Sequence, residues 1–295
     1  MARSLNGTTQ FLYNQAAPVL SVAPPMTYVC WYKPPDAAAT TRPLMTASLT
    51  TAANWFMLNV NAANNLQAFE YDGTNVGVAA TTTPLVINQW NHCAAVFQSN
   101  QVRSVYLNTA KVTDGTNNVG GGGANVFYVG VILYNTSTLL YTPGVFADAA
   151  IYAAALTDDE ITALSKGVSP LLVRPNALVA YWPLTGGGDP EPDRWRLSAN
   201  LTVVNAPTVT DNPRIYHPWH TTVPGTTTAA VAQQFQAAAA FSVSATANLV
   251  VPVPMTASAG LRFSTAAALA ELPLAHVAFY AQNANKTSGV LIHAE

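Results

Sequence analysis

Short runs rich in Val, Tyr, Phe, Thr and Trp recur along the chain up to about residue 210, separated by clusters of Gly, Asn, Asp and Pro. Such runs suit a pleated, half-buried surface, and the clusters between them supply the reversals, so the pattern is that of an antiparallel β-sandwich. Strand-like segments are MTYVCWYKP (26–34), NWFMLNV (54–60), LQAFEYDG (66–73), NHCAAVFQ (91–98), VRSVYLN (102–108), NVFYVGVI (125–132) and ALVAYWPL (177–184). Asp72-Gly73 and Asp114-Gly115 tolerate positive φ and reverse a chain cheaply. DGTN stands at both 72–75 and 114–117, which reads as two turns rather than an internal repeat.

One helix interrupts the pattern. In LTDDEITALSKG, Thr157 is placed to cap the N-terminus, with Glu160 three residues on, Ile161 and Leu164 as the apolar face and Gly167 as the stop. The acids Asp158, Asp159 and Glu160 form the densest acidic cluster of the chain. Capping and the positive end of the helix dipole account for all three without a metal or catalytic role.

Only 9% of the 295 residues are charged, well below the roughly 25% usual in soluble domains, so Thr, Asn, Ser and Gln must wet the surface. A formal charge of −2 supplies no basic field for phosphate backbones or anionic lipid, which argues against nucleic-acid and membrane partners. The opening MARSLNGTTQFLYNQAAPVL lacks the basic start and apolar core of a secretory signal. QQFQAAAAFSV is too short and polar to span a bilayer. Two cysteines, Cys30 and Cys93, are too few for a disulfide scaffold and lack companion zinc ligands. Near residue 217 the texture turns to Ala- and Thr-rich sequence poor in large apolar residues. The expected organisation is therefore a sandwich over 1–216 and a small β-rich assembly or anchoring region over 217–295, with LAHVAFYAQN as a last strand.

Several segments together resemble the laminin-G-like, concanavalin-A-like jelly-roll family over roughly residues 3–205. The opening resembles the family's first strands through Asn6, Gly7, Phe11, Trp31, Lys33 and Pro34. QWNHCAAVFQSNQVRSVYLNTAKV resembles its Trp-x-His-x-Ala-x-x-Phe strand and the strand that follows. GVFADAAIYAAALTDDEITAL resembles the strand and helix near its end through Gly144, Ile151, Tyr152, Ala155, Leu156 and Glu160. The resemblance implies an all-β, antiparallel jelly-roll sandwich with one short helix. Where the family often has Ile-Asp-Glu, this chain has Phe146, Ala147 and Asp148. In pentraxins, relatives on this fold, a disulfide joins these two strands and its second Cys lies two residues after the His. Cys93 follows His92 by one, so the expectation is that Cys93 points away from Cys30, with Ala94 turned inward.

The fold hosts lectins, glucanases, adhesive modules and structural proteins, so function must come from a site. Laminarinase-like glucanases place carboxylates on one strand face in Glu-x-Asp-x-x-Glu. No such run exists here, and Glu70 with Asp72, the nearest approach, reads as a solvated turn. VGGGGAN (119–125) and TGGGDPEPD (185–193) lack phosphate-loop chemistry. His217 and His220 are the only close histidines and have no further ligand beside them; His92 reads as a structural core residue. No catalytic residue and no cofactor are expected. Laminin-G-like and lectin modules often hold calcium at a sandwich edge, for which Asp72, Asn75, Asp114 and Asn117 offer oxygens; the simpler reading of these residues is Asx turns without an ion. Tyr134, Tyr141 and Trp195 lie in loop-like sequence and could stack on sugar rings, or pack on the sandwich instead.

Residues 169–218 resemble the segment that closes laminin-G-like domains in many tailed-phage proteins. The expectation is a non-enzymatic bacteriophage virion protein, made in the host cytoplasm and displaying its jelly roll as a capsid decoration or a head or tail fibre. Its partners would be other virion proteins of capsid or tail, copies of itself in an assembly-dependent oligomer, and a host-surface glycan. The alternative is a carbohydrate-binding adhesin or receptor-binding protein, with a glycoside hydrolase behind it.

Overall fold

Alternation along each run becomes register once the strands pair. The computed structural model describes residues 1–15, 23–49, 54–120, 124, 126–134, 138–186, 188–196, 199–213, 215, 277–283 and 286–292. Its strands are, in order, β1 (Ala2–Asn6), β2 (Phe11–Asn14), β3 (Met26–Lys33), β4 (Arg42–Ser48), β5 (Trp55–Val60), β6 (Asn65–Tyr71) and β7 (Val76–Pro84). There follow β8 (Asn91–Phe97), β9 (Arg103–Leu107), β10 (Ala110–Asp114), β11 (Val126–Val129), β12 (Val131–Tyr134), β13 (Thr138–Tyr141) and β14 (Pro143–Tyr152). After helix α1 (Asp158–Ser165) come β15 (Leu178–Trp182), β16 (Thr202–Val204), β17 (Thr208–Thr210), β18 (Val277–Asn283) and β19 (Lys286–Ile292).

One sheet runs β10-β9-β8-β3-β14-β1-β17, with β15 also paired to β14; the other runs β16-β2-β11-β4-β5-β6-β7. Every pairing is antiparallel, and strands distant in sequence lie side by side, as a jelly-roll sandwich requires. The chain divides into two units, Met1–His220 and Thr221–Glu295. Within the second, β18 and β19 pair as a hairpin from Val277 opposite Ile292 to Asn283 opposite Lys286.

The principal core lies between the sheets, where Leu12, Tyr28, Tyr32, Leu58, Phe97, Phe127, Phe146 and Trp182 interdigitate. A second apolar layer covers the outer face of the β3/β8/β14 sheet. There Val29, Ala94, Val96, Tyr106 and Tyr152 meet Ile161 and Leu164 of α1. This is why the β8 run NHCAAVF shows no alternation: its residues are buried on both faces.

That register corrects the expectation about the cysteines. Cys93 lies directly opposite Cys30 and both belong to the inter-sheet core, whereas Ala94 faces outward beneath α1. Opposed antiparallel residues have Cα atoms about 4.5 or 5.5 Å apart, so orientation does not separate the thiols. Both are free, and burial pushes both thiols up, which leaves almost no thiolate to react. His92, on the outer face with Ala94, is buried against the edge of Trp31, with ring centroids 5.3 Å apart. Burial lowers its imidazole to about 3, so it stays neutral across the physiological range.

The helix forms as its sequence dictates. The Thr157 side chain accepts from the Glu160 N–H at 3.4 Å, and Glu160 Oε2 accepts from the Thr157 N–H at 2.7 Å. Glu160 also receives the Arg174 Nε–H at 2.7 Å, which ties the helix to the following loop. Changing Glu160 to Ala is expected to lower stability by about 0.5–2 kcal/mol in urea titration and to leave ligand binding alone. A loss within error would show that the box contributes nothing.

The run NVFYVGVI does not form a single strand. Gly130, at φ +80°, turns the chain between β11 and β12, and a Cβ there would stand 2.2 Å from Leu5 Cδ1. The turn lifts β12 out of the sheet to pair with β13, Ile132 opposite Leu140. Tyr134 and Tyr141 therefore lie in strands and not in loops.

Candidate functional site

The β12–β13 hairpin creates the feature of greatest chemical interest, because it roofs the outer face of the sheet containing β4, β5 and β6. On that face β5 and β6 present three cross-strand rungs: Trp55 with Tyr71, Met57 with Phe69, and Asn59 with Gln67. Alternation puts Leu58, Ala68 and Glu70 on the other side, toward the inter-sheet core. Trp55 and Tyr71 lie 4.8 Å apart at 33°, and Asn59 Nδ2 donates to Gln67 Oε1 at 3.0 Å. Ile132 and Leu140 close over the rungs. A cleft of about 240 Å³ remains between them, lined by Thr41, Trp55, Met57, Asn59, Gln67, Phe69, Ile132 and Leu140. No ionisable side chain is among these residues.

Beside the cleft, Phe11, Tyr13, Tyr128 and Tyr141 continue the face as a second aromatic patch, their ring centroids 5.9–6.4 Å apart. Buried polar atoms interrupt these apolar groups. Thr46 Oγ1, Ser48 Oγ and Asn59 Oδ1 are shielded from solvent and have no hydrogen-bond partner in the protein. Thr46 is opposite Met57 and Ser48 opposite Trp55, so all three point into the same face. An unmet acceptor in such a place costs about 1–3 kcal/mol unless something else supplies its bond. Aromatic rings with nearby hydrogen-bonding oxygens and no fixed charge can stack on a sugar ring and bind its hydroxyls.

Of the glycan-stacking candidates, Tyr141 belongs to this face, half-buried against Phe11. The Tyr134 side chain lies outside the described residues. Trp195 packs instead on the apolar layer beneath α1, in the other sheet, with its backbone N–H given to Asp193 Oδ1 at 2.9 Å. Trp55, Phe69 and Tyr71 were visible as strand residues; their role depends on the hairpin that covers them.

The four calcium candidates gather at one end of the sandwich, where two turns flank a buried arginine. Asp72 Oδ1 accepts from the N–H groups of Thr74 and Asn75 at 2.9 and 2.7 Å, and Oδ2 from Asn75 Nδ2 and the Gly120 N–H at 3.1 and 2.9 Å. These bonds, those of Asn75 foremost, hold its carboxyl well below the usual range. Asp114 and Asn117 face Arg103, whose Nη1 bonds Asp114 Oδ2 and whose Nη2 donates to the Asn117 carbonyl at 2.8 Å. Asn117 Nδ2 donates to the Val76 carbonyl at 2.8 Å, joining the turns. Asx geometry and the guanidinium thus engage the carboxylate oxygens of Asp72 and Asp114. Among the described residues, no three His, Cys, Asp or Glu side chains gather as a metal site.

Glu70 departs from the solvated turn expected of it. It is fully buried, and Arg103 Nε reaches across from β9 to its Oε2 at 3.3 Å. Burial pushes Glu70 up to about 7, against the opposing pull of Arg103. It faces the inter-sheet core, whereas Asp72 lies half-buried beyond the end of β6, so the two do not flank a common cleft. Asp148, at φ +49° in a bulge of β14, accepts from the Tyr181 hydroxyl and is pushed up to about 7 by burial. His217 and His220 lie outside the described residues.

A family model described as the concanavalin A-like lectin/glucanases superfamily matches residues 6–162. Among solved structures, a putative carbohydrate binding protein from Bacteroides ovatus is similar at a TM-score of 0.54 and 18% identity, over 73% of this chain and 61% of that one. The heptameric SAP-like pentraxin of Limulus polyphemus gives 0.46 and 15%, over 56% of this chain and 81% of its own. Domain 4 of AbnA, an extracellular arabinanase from Geobacillus stearothermophilus solved with arabinotriose, gives 0.45 and 22%, over 56% and 76%. Comparison with curated proteins finds no match.

Proposed function

The chain belongs to the concanavalin A-like lectin/glucanases superfamily, and from that premise we propose that it is a non-enzymatic glycan-binding jelly roll displayed on a bacteriophage particle. The observation that carries the glycan reading is the roofed face of β5 and β6. Aromatic rungs, an apolar cleft and buried oxygens without protein partners meet there on a rigid sheet. The same lining accounts for the absence of a catalytic step in the proposal. Most glycoside hydrolases flank the bond with two carboxyl groups, and the cleft offers amides and a hydroxyl. Binding without chemistry is what a receptor-binding or decorating module requires.

The particle setting rests on the low charge, the Thr- and Asn-rich surface and the resemblance of residues 169–218 to segments that close phage laminin-G-like domains. In this reading residues 217–295 attach the domain to capsid or tail proteins or to further copies of the chain.

A glycan array probed with the full chain tests the binding. Retention of a defined set of neutral glycans is expected, and changing Trp55 to Ala should abolish it while the far-ultraviolet circular dichroism keeps its β signature. A folded protein that retains no glycan would refute the reading. Antibody labelling of purified particles tests the setting separately.

A further inference from the structure

We propose that the cleft under the β12–β13 hairpin selects a neutral sugar bearing an acetamido group, with the amide held by Asn59 and Gln67 and the methyl seated among Met57, Ile132 and Leu140. The inference rests on the glycan reading above and specifies its ligand. Three properties of the lining lead to it.

The first is size. About 240 Å³ is less than the roughly 300–1,000 Å³ of sites for drug-sized ligands, so the cleft admits one substituted ring and leaves the rest of a glycan outside. The second is charge. With no Lys, Arg, His, Asp or Glu on the lining, a carboxylated sugar would lose its hydration without gaining a partner, so sialic and uronic acids are disfavoured.

The third is the order of groups along the rungs. Asn59 is 1% exposed and spends Nδ2 on Gln67 Oε1, which leaves Asn59 Oδ1 buried and unpaired. That oxygen needs a donor, and the acetamido N–H becomes one when the Asn59 amide turns to bring Oδ1 to the cleft surface. Gln67 Nε2 would donate to the acetamido carbonyl. The neighbouring rung is Met57 with Phe69, under Ile132 and Leu140, so the methyl group meets thioether and aliphatic carbon. A simple hexose hydroxyl could satisfy Asn59 Oδ1 but would set polar atoms or empty space against the apolar rung. A 6-deoxy sugar would fill the apolar rung and lack the amide for its neighbour.

The test uses the full chain and the methyl glycosides of N-acetylglucosamine, N-acetylgalactosamine, glucose, galactose and fucose, together with lactose and sialyllactose. Affinity is read by titration and the bound epitope by saturation-transfer NMR. An acetamido sugar is expected to bind about tenfold or more tightly than its parent hexose, with its acetamido methyl the most saturated group. Sialyllactose should bind no better than lactose. Changing Asn59 to Leu should bring the acetamido-to-hexose ratio to about one; if that variant does not fold, the epitope map on the unmodified protein decides. Equal binding of hexose and acetamido sugar, a preference for fucose, or saturation confined to the ring protons would overturn the inference and leave glycan binding standing. Failure to bind any neutral sugar, when the array also retains no glycan, would remove both.

Discussion

Replacing Arg103 by Ala is expected to lower the unfolding free energy of the sandwich by about 3–5 kcal/mol, the range found when one partner of a buried ion pair is removed. Arg103 is fully buried, and its guanidinium binds Glu70, Asp114 and the carbonyls of Asn100 and Asn117. It joins β9 of one sheet to β6 of the other and anchors the turn after β10. Gly77 marks how tightly it is held, since a Cβ there would lie 2.2 Å from the guanidinium carbon. Without Arg103, Glu70 Oε2 joins Oε1 as a buried oxygen with no partner.

The loss should depend on pH in a defined direction. Burial already places the folded Glu70 at about 7, and Arg103 is what pulls it down, so the variant raises it further. A carboxyl whose folded pKa lies above its unfolded value binds protons more readily when folded, and stability then falls as pH rises between the two values. The variant should be closest to wild type near pH 5 and furthest from it near pH 8. Burial raises the Asp114 carboxyl, and the Thr116 and Arg103 bonds together outweigh it and hold the group low. Urea titrations at the two pH values measure both effects. A loss below 1 kcal/mol that is flat in pH would contradict the ion-pair account. Changing Glu70 to Gln in the Arg103→Ala background should recover part of the loss, because it removes the carboxylate left without its cation.

This site shows what was legible in the chain and what was not. Strand positions could be read because turn residues and β-prone runs act locally: segments 26–34, 54–60, 66–73, 91–98 and 102–108 each match a strand to within two residues at either end. Parity within LQAFEYDG places Leu66, Ala68 and Glu70 on one face, so the inward side of Glu70 was implicit in the pattern. Its partner was not, because Arg103 lies 33 residues away on a strand of the other sheet. The cysteine error has the same origin. Along β8 both faces are buried, and without polar residues to mark parity a one-residue offset inverts the assignment. The cleft was hidden for another reason: its floor reads as ordinary strand, and its roof depends on Gly130 lifting β12 out of a run that looks continuous.

The second large effect is expected at Trp182, beyond the stretch that the family model matches. Trp182 pairs through β15 with Ala149 of β14, and its ring stacks on Phe127 of the opposite sheet at 5.2 Å and 18°. Its Nε1 donates to the Ala199 carbonyl at 2.6 Å, which holds the returning chain against the core just before β16 joins β2. The side chain is fully buried and touches both layers as well as the segment that closes them. Changing it to Ala should cost about 3–5 kcal/mol, the usual range for emptying a core aromatic site. Changing it to Phe keeps a ring on Phe127 but leaves the Ala199 carbonyl without its donor, for a smaller cost of about 1–3 kcal/mol. The two losses separate packing from hydrogen bonding, and hydrogen exchange can locate them. In both variants protection should fall first at Leu201 and Val203, whose backbone N–H groups bond the Glu191 carbonyl at 2.9 Å and Asp189 Oδ1 at 3.1 Å. If the Ala variant lost less than 1 kcal/mol, residues 178–204 would be an appendage resting on a sandwich completed by the first 162 residues. A loss in the expected range makes them part of the fold, with Trp182 filling core space that the matched segment leaves open.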